Sequence, residues 1–255
     1  MLPRDFKPKG TFDLVRLGGN HDGGYLIDKK TLQLSKCLIS FGIGTNFEFE
    51  KDFYKLGNKK IYCYDFSIYP NFIKNIVIYF FSGLINFRNL KKLIYSLKIF
   101  LNFITFINMK NVFFFSKKVQ SKLTNKNSII LRKIMSNVVN FPVLLKVDIE
   151  GDEYDILSDI KKMSHNIQGL IIEFHGINSN LKRKRIVDFI KDNPLKIIHF
   201  HANNYTGKDK LGDPTTIEIS FSKNPLIINK KVRLPHFLDM KNSPKKPEIN
   251  IVFDR

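Results

Sequence analysis

The chain has 255 residues, of which 43% are hydrophobic, so it can bury a full core as one domain or as one domain with an insertion. Its formal net charge is +19, from 42 Lys and Arg against 23 Asp and Glu. Cys37 and Cys63 lie in apolar runs and are interpreted as core thiols of a reducing compartment, which excludes a disulfide framework. The first residues lack the apolar core of a secretory signal, so a cytoplasmic location is expected.

The positive charge is concentrated in one segment. No acidic residue occurs between Asp65 and Asp148, whereas the same stretch carries thirteen Lys and Arg residues. Such a field favours an anionic partner: nucleic acid, anionic lipid or a phosphorylated glycan. Solvation of a surface in a Lys-rich chain explains the same bases, and composition does not separate the two explanations.

The first part of the chain predicts a strand, a glycine turn, a helix and a second strand. In order, the pieces are an irregular lead-in at 1–36, a strand at 38–41, a turn with Gly42 and Gly44, a helix at 47–56 and a strand at 60–64. The second strand ends at Asp65, so the unit is typical of the first half of a nucleotide-binding α/β fold.

Residues 66–140 predict a basic, aromatic-rich helical insertion. Apolar residues recur at helical spacing over 89–107, with lysines between them. This pattern is typical of a helix lying at a membrane interface, and also of an insertion packed on the core. The longest apolar stretch, 76–87, is too short to span a bilayer.

The second half alternates strands and helices again. The predicted pieces are strands at 143–147, 169–174, 196–200 and 216–221, helices at 154–163 and 181–190, and a last edge strand at 249–253. Alternation of this kind indicates a mainly parallel sheet covered by helices on both faces.

The glycine turn and Asp65 predict a cofactor site. Gly42 and Gly44 let the backbone approach a ligand, and Asp65 follows at the distance where a ribose diol is usually held. A dinucleotide fingerprint needs a third glycine, but Phe47 stands in its place. S-adenosylmethionine, which has no phosphate, needs only the turn and the acid.

Acids and histidines follow several predicted strands. Asp148 and Glu150, one residue apart, are expected on one face at a strand's carboxyl end. The other candidates are Glu173, His175, His199, His201 and Glu218. Because parallel strands bring their carboxyl ends together, these side chains are expected to converge. The set predicts a general base for deprotonating a hydroxyl, or a divalent metal held by Glu173, His175, His199 and His201.

A glycine-rich loop at 16–25 is the other dense motif. Asp22, Gly23, Gly24 and Tyr25 are expected to close over a cofactor, or simply to form tight turns.

Together these residues resemble the FkbM-type family of S-adenosylmethionine-dependent methyltransferases. The matching pieces lie at 22–25, 40–44, 64–65, 145–154, 172–175 and 199–204, and the Lys-Val-Asp-Ile-Glu-Gly run is the most specific. The resemblance implies one domain over 1–255 with a Rossmann-like methyltransferase fold, and O-methylation of sugar or polyketide hydroxyls. It also implies that Gly42 and Gly44 line the cofactor, that Asp65 holds its ribose, and that Asp148 and Glu150 lie beside the point of methyl transfer.

The sequence leaves three functions open. The first is an O-methyltransferase acting on a saccharide or glycolipid, with His175 or His201 as the base, Asp148 as the orienting group, and 66–140 resting on an anionic membrane. The second is a nucleic-acid-binding protein, which the charge favours but which lacks a recognised binding motif. The third is a metal-dependent enzyme using the His and Glu cluster.

Overall fold

The computed structural model describes residues 1–254, apart from the side chain of Ile85. In chain order its elements are β1 (Leu14–Leu17), β2 (Tyr25–Asp28), α1 (Lys29–Leu34), β3 (Cys37–Phe41), α2 (Glu48–Lys55), β4 (Lys60–Tyr64), α3 (Ile68–Ile85), α4 (Phe87–Ile107), β5 (Val112–Phe115), β6 (Lys118–Gln120), β7 (Ser128–Ile130), α5 (Leu131–Ser136), β8 (Val143–Val147), α6 (Glu153–Met163), β9 (Ile167–His175), α7 (Asn180–Asp192), β10 (Lys196–Ala202) and β11 (Thr216–Ser222).

A seven-stranded sheet organises the molecule, in the order β5-β4-β3-β8-β9-β11-β10. All its strands are parallel except β11, which pairs antiparallel with both β9 and β10. The first five strands follow the order of a doubly wound Rossmann sheet, in which the chain reverses direction across the sheet between β3 and β8. The Rossmann-like fold expected from the sequence is confirmed.

The two faces of the sheet carry separate cores. Along β3, Cys37, Ile39 and Phe41 face α5, α6 and α7, whereas Leu38 faces the β1–β2 hairpin and α1 to α4. Every residue of β3 is buried, as expected of a parallel strand covered on both sides.

Helix α6 follows β8 and begins where its sequence favours a helix. Glu153 and Asp155 lie in its first turn and Lys161 and Lys162 in its last, so their charges complement the helix dipole. The turn before it contains Gly151 at φ 110°, a backbone conformation that favours glycine.

Three expectations are corrected. The segment 66–140 is not wholly an insertion, because Val112–Phe115 pairs with β4 in the main sheet and α5 belongs to the core. The segment 249–253 forms no edge strand, since Phe253 makes only an isolated bridge to Leu2. Residues 1–36 are more regular than expected, because they contain the β1–β2 hairpin and α1.

Helices α3 and α4 form an antiparallel pair, called the helical hairpin below (residues 68–107). None of the helices within residues 1–254 combines the length and hydropathy needed to cross a bilayer.

Candidate functional site

A cavity of about 760 Å³ opens at the carboxyl ends of β3, β4 and β8, where the strand order reverses. Ligands of open α/β sheets bind at this position. The lining includes Asp22, Gly23, Gly42, Gly44, Asn46, Asp65, Phe66, Asn71, Asn75, Lys118, Lys146, Asp148, Ile149 and Glu150. We call this the switch-point cavity.

Gly42 and Gly44 serve different purposes at the end of β3. A Cβ on Gly42 would collide with the carbonyl oxygen of Asp148, so the glycine permits β3 and β8 to end side by side. Gly44 has φ 53° and nothing within 4 Å of a Cβ, so it leaves the cavity floor open. Both residues line the cavity, as their assignment to cofactor binding requires.

Asp65 lies at the end of β4 and shapes the same floor. Its Oδ2 accepts from the Gly44 amide at 2.9 Å, and its Oδ1 accepts from the Ser67 amide and hydroxyl at 2.7 and 2.8 Å. The carboxylate is thus held by two backbone amides and one hydroxyl at the wall of the cavity, at the strand end where a ribose-binding acid was expected.

The glycine-rich loop is divided between two roles. Asp22 and Gly23 line the cavity, and Asn46 donates to the Asp22 carbonyl at 2.6 Å. Gly24 does not line it, because it packs against Gly19 and Arg16, where a Cβ would collide.

Tyr25, assigned to the cofactor from the sequence, lies under the cavity instead. Its hydroxyl donates to Glu173 at 3.0 Å and lies 3.2 Å from Asp148. Burial, followed by the charges of Asp148 and Glu173, raises the pKa of Tyr25 well above its usual value, so it stays a proton donor. Tyr25 therefore positions two carboxylates.

Asp148 is paired with a buried lysine that the sequence reasoning did not select. Lys146 Nζ lies 3.9 Å from Asp148 Oδ2 and 3.7 Å from Glu50 Oε1, and it donates to the Gly42 carbonyl at 2.9 Å. Glu50 also accepts from Ser40 at 2.6 Å. Burial opposes the charge on Lys146, but Glu50 and Asp148 outweigh it and raise its pKa, so the ammonium is retained.

Burial raises the pKa of Asp148 to about 6, although Lys146 and His175 act in the opposite direction. Its carboxyl group therefore lies at the cavity wall with a proton affinity far above that of an exposed aspartate. Groups with displaced pKa values in a cleft are candidates for catalysis.

Glu150 lies at the mouth of the cavity, not on a strand beside Asp148. Strand β8 ends at Val147, and Glu150 adopts φ 56° in the turn that follows, with its side chain 86% exposed. The prediction that Asp148 and Glu150 share one face of a strand is wrong. Both acids nevertheless line the cavity, and both lie near His175.

His175, at the end of β9, is the imidazole nearest to these acids. Its Nδ1 lies 2.8 Å from Glu153, and its Nε2 lies 3.5 Å from Glu150 and 3.7 Å from Glu173. Burial alone would lower its pKa, but the hydrogen bond to Glu153 and the nearby carboxylates outweigh burial and raise it. Glu153 fixes the ring and leaves Nε2 directed at the acids, which suits proton transfer.

Glu173 connects the cavity to a second group of polar residues. Its Oε1 accepts from Asn203 at 2.8 Å, and Asn203 also lies 3.3 Å from Asp22. Asn242 bridges Asp22 and Glu218 at 2.9 and 2.6 Å. Burial, followed by Asp148, Glu218 and Asp22, raises the pKa of Glu173 well above its usual value.

We call the connected set the buried polar network: Glu50, Lys146, Asp148, Tyr25, Glu173, His175, Glu153, Asn203, Asp22, Asn242, Glu218 and His201. Most of its members are buried, Asp148 and His175 are partly buried, and Asp22 at the cavity is exposed. Glu218 was expected to approach the other acids and histidines because parallel strands end at the same edge of the sheet. It does lie close to Glu173 and His201, but for another reason: β11 is antiparallel and pairs Glu218 with both residues in the ladder.

His199 and His201 do not reach the cavity. His201 lies 3.4 Å from both Glu218 and Glu248, and His199 lies 2.9 Å from Asp239. Burial opposes protonation of His201, but Glu218 and Glu248 raise its pKa to about 10, so it is an imidazolium at neutral pH and cannot accept a proton. Its assignment as a base is therefore corrected.

The expected metal set of Glu173, His175, His199 and His201 is also divided. Within residues 1–254, the groups whose ligand atoms lie within 4.8 Å of one another are Asp148 with Glu173 and His175, and Asp22 with Glu173 and Glu218. The first group offers two carboxylates and one imidazole, a donor set that divalent cations accept.

Comparison with known proteins adds the following. No family model matches the chain, and no curated protein matches it. An rRNA methylase from Streptococcus thermophilus is similar at 9% identity over 76% of this chain and 91% of that chain, with a TM-score of 0.39. TrmK of M. capricolum, bound to S-adenosyl-homocysteine, is similar at 14% identity over 76% of this chain and 66% of that chain, with a TM-score of 0.39.

A precorrin-6y C5,15-methyltransferase from Geobacter metallireducens is similar at 11% identity over 76% of this chain and 87% of that chain, with a TM-score of 0.37. With scores this low, the function has to be inferred from the geometry of the site itself.

Proposed function

We propose that the protein is an S-adenosylmethionine-dependent O-methyltransferase that acts on a hydroxyl of a saccharide or glycolipid-type acceptor. The observation that carries the proposal is the switch-point cavity itself. Gly42, Gly44, Asp65 and Asp148 line it, and His175, held by Glu153, lies outside the lining with its Nε2 3.5 Å from Glu150 at the cavity mouth.

The cavity fits S-adenosylmethionine by the chemistry of its lining. Gly44 leaves room on the floor, and Asp65 offers a fixed carboxylate for a ribose diol. Asp22 and Asp148 offer acids for a cationic ligand. Phe47, at the position of a third glycine, packs against Phe106 at 5.2 Å, which argues against a pyrophosphate cofactor that needs a glycine there.

When bound, S-adenosylmethionine would supply an electrophilic methyl group. Asp148 and Glu150 line the cavity where an acceptor hydroxyl would be oriented, and His175 Nε2 would accept the hydroxyl proton. Glu153 would hold the imidazole in the required tautomer through Nδ1. Lys146 would keep Asp148 in place through their ion pair.

Amides at the rim support a saccharide as the acceptor. Asn46, Asn71 and Asn75 line the cavity, as does Glu150, so hydroxyl groups would meet hydrogen-bond donors and acceptors. This proposal also includes membership of the FkbM-type methyltransferases, which the sequence at 145–154 resembles.

The test is methyl transfer from labelled S-adenosylmethionine to a panel of mono- and disaccharides and to RNA, read by mass spectrometry. We expect methylated sugar with the wild type and none with Asp148→Asn at unchanged thermal midpoint. Asp192→Asn, an exposed aspartate on α7, is the matched control. Methylated RNA, or full activity of Asp148→Asn, would contradict the proposal.

A second candidate is a metal-assisted form of the same reaction. The proximity of Asp148, Glu173 and His175 favours it, since a divalent cation there would activate the hydroxyl directly. Titration of the purified chain with MgCl2 and MnCl2 distinguishes the two: saturable binding that His175→Ala abolishes supports the metal, and absence of binding supports His175 as the base.

A further inference from the structure

The helical hairpin is anchored at one end and free at the other. At its root, Phe72 and Phe103 are buried and their rings lie 5.7 Å apart, and Phe106 stacks on Phe47. Near the junction at Asn86, the large side chains of Phe81, Leu84 and Phe87 are 63%, 74% and 86% exposed.

Exposed apolar residues form a continuous stripe on α3. Ile73, Val77, Phe80 and Leu84 follow one another at helical spacing, and each is 46–74% exposed. Phe81 adds a further exposed ring next to them. A stripe of this kind normally packs against something, because exposed apolar patches mark interaction sites.

The same character continues across the junction onto α4. Phe87, Ile94 and Leu101 recur every seven residues and are all exposed, with Lys91 and Lys98 between them on the same face. The hairpin surface is therefore both apolar and basic.

The charge of the hairpin has one sign only. Its five bases are Lys74, Arg88, Lys91, Lys92 and Lys98, and residues 68–107 contain no acid. The salt bridges found within residues 1–254 involve other bases. Among the described residues these bases therefore have no acidic partner, although Lys92 also lies over the Tyr79 ring at 5.8 Å, and their charges can meet an anionic partner.

We propose that the helical hairpin docks in the plane of an anionic lipid surface, with Phe80, Phe81, Leu84 and Phe87 entering the acyl boundary and the bases meeting headgroups. Basic, aromatic amphipathic helices bind lipid in this way. A second copy of the chain would set like charges against each other, and nucleic acid would leave the aliphatic stripe in water.

The hairpin also forms part of the switch-point cavity, since Asn71 and Asn75 on α3 line it. A lipid surface on the hairpin would therefore contact an element that also lines the cavity. The docking surface itself does not depend on the proposed function, because it is built from different residues.

The test is co-sedimentation of the whole chain with vesicles of phosphatidylcholine alone or with about one third phosphatidylglycerol. We expect the wild type to bind the anionic vesicles. Binding should be weaker by roughly tenfold or more when the vesicles are neutral, and also when the triple variant F81S/L84S/F87S replaces the wild type. The variant K91Q/K92Q/K98Q should lose the preference for anionic vesicles.

The matched control is L226S/I228S, which removes two exposed apolar side chains elsewhere. Thermal midpoints confirm that every variant is folded. Because the vesicle assay requires no cofactor, its result is independent of cofactor binding. Equal vesicle binding by F81S/L84S/F87S and the wild type would overturn the proposal. A second result would also overturn it: the wild type does not bind vesicles but binds RNA or associates with itself, and F81S/L84S/F87S abolishes that binding or self-association.

Discussion

The buried polar network and the helical hairpin differ in where they place charged and apolar side chains. In the network, Lys146 is 3% exposed and every charge has a partner of opposite charge or a hydrogen bond. In the hairpin, large apolar side chains face solvent and the bases have no acid within the segment. Each arrangement is uncommon in a folded chain, and the proposals above assign a ligand to each.

The difference also shows where stability and function are separated. Removing a charge from the network should destabilise the fold or stop the chemistry, because charged groups such as Lys146 and Glu50 are buried with their partners. Removing an exposed apolar group near the junction of the hairpin should leave the fold unchanged, because that group is largely in contact with solvent.

The largest effect is expected on catalysis. Replacement of His175 by Ala should lower methyl transfer by about 10²–10⁴-fold, because it removes the proposed proton acceptor. Cofactor affinity should change little, since His175 does not line the switch-point cavity. His165→Ala, an exposed histidine at the other end of β9, should retain full activity in the same assay.

A comparable effect on stability is expected at Lys146. The substitution Lys146→Met should lower the free energy of unfolding by about 3–5 kcal/mol, because Glu50 and Asp148 would remain buried without their cation. Urea denaturation measures this loss. Lys161→Met, which breaks the exposed pair with Asp192, should cost about 0–1 kcal/mol; equal losses would contradict the account.

An intermediate effect should depend on pH. Because Glu218 and Glu248 raise the folded pKa of His201 to about 10, above its ordinary value of 6.5, the folded state holds the proton more tightly. This stabilisation is complete below pH 6.5 and is lost as the pH rises toward 10. Unfolding free energies should therefore fall over that window in the wild type and vary less in His201→Gln, whereas parallel profiles would exclude the ion pair.

The smallest effect is expected at the hairpin tip. Phe81→Ala should change the free energy of unfolding by no more than about 0.5 kcal/mol. Phe103→Ala, in the same hairpin but buried at its root, should cost about 3–5 kcal/mol. A large loss at Phe81 would mean that the tip packs against the rest of the chain.

Much of the fold could be predicted because strands and helices of the two halves have clear periodicity. Lys60–Tyr64 and Val143–Val147 occur at the predicted bounds. Val112–Phe115 escaped prediction because an aromatic run beside an amphipathic helix has no distinct period, and its pairing with β4 is long-range.

The site was predictable only in part. Gly42, Gly44, Asp65 and Asp148 follow strands, and strand ends can be read from sequence. Lys146 was missed, although a single lysine inside an apolar strand next to an acid is a signal for a buried ion pair. The separation of His201 from His175 depends on antiparallel β11, whose direction no local pattern indicates.

Calorimetric titration of the purified chain with S-adenosylmethionine tests the central claim most directly. The account predicts saturable binding that weakens by roughly tenfold or more in Asp65→Asn, because a charged hydrogen bond contributes about 1.5–3 kcal/mol, and that is unchanged in Asp192→Asn. Absence of binding by folded wild-type protein, or equal affinity of Asp65→Asn, would contradict the assignment of the switch-point cavity to this cofactor.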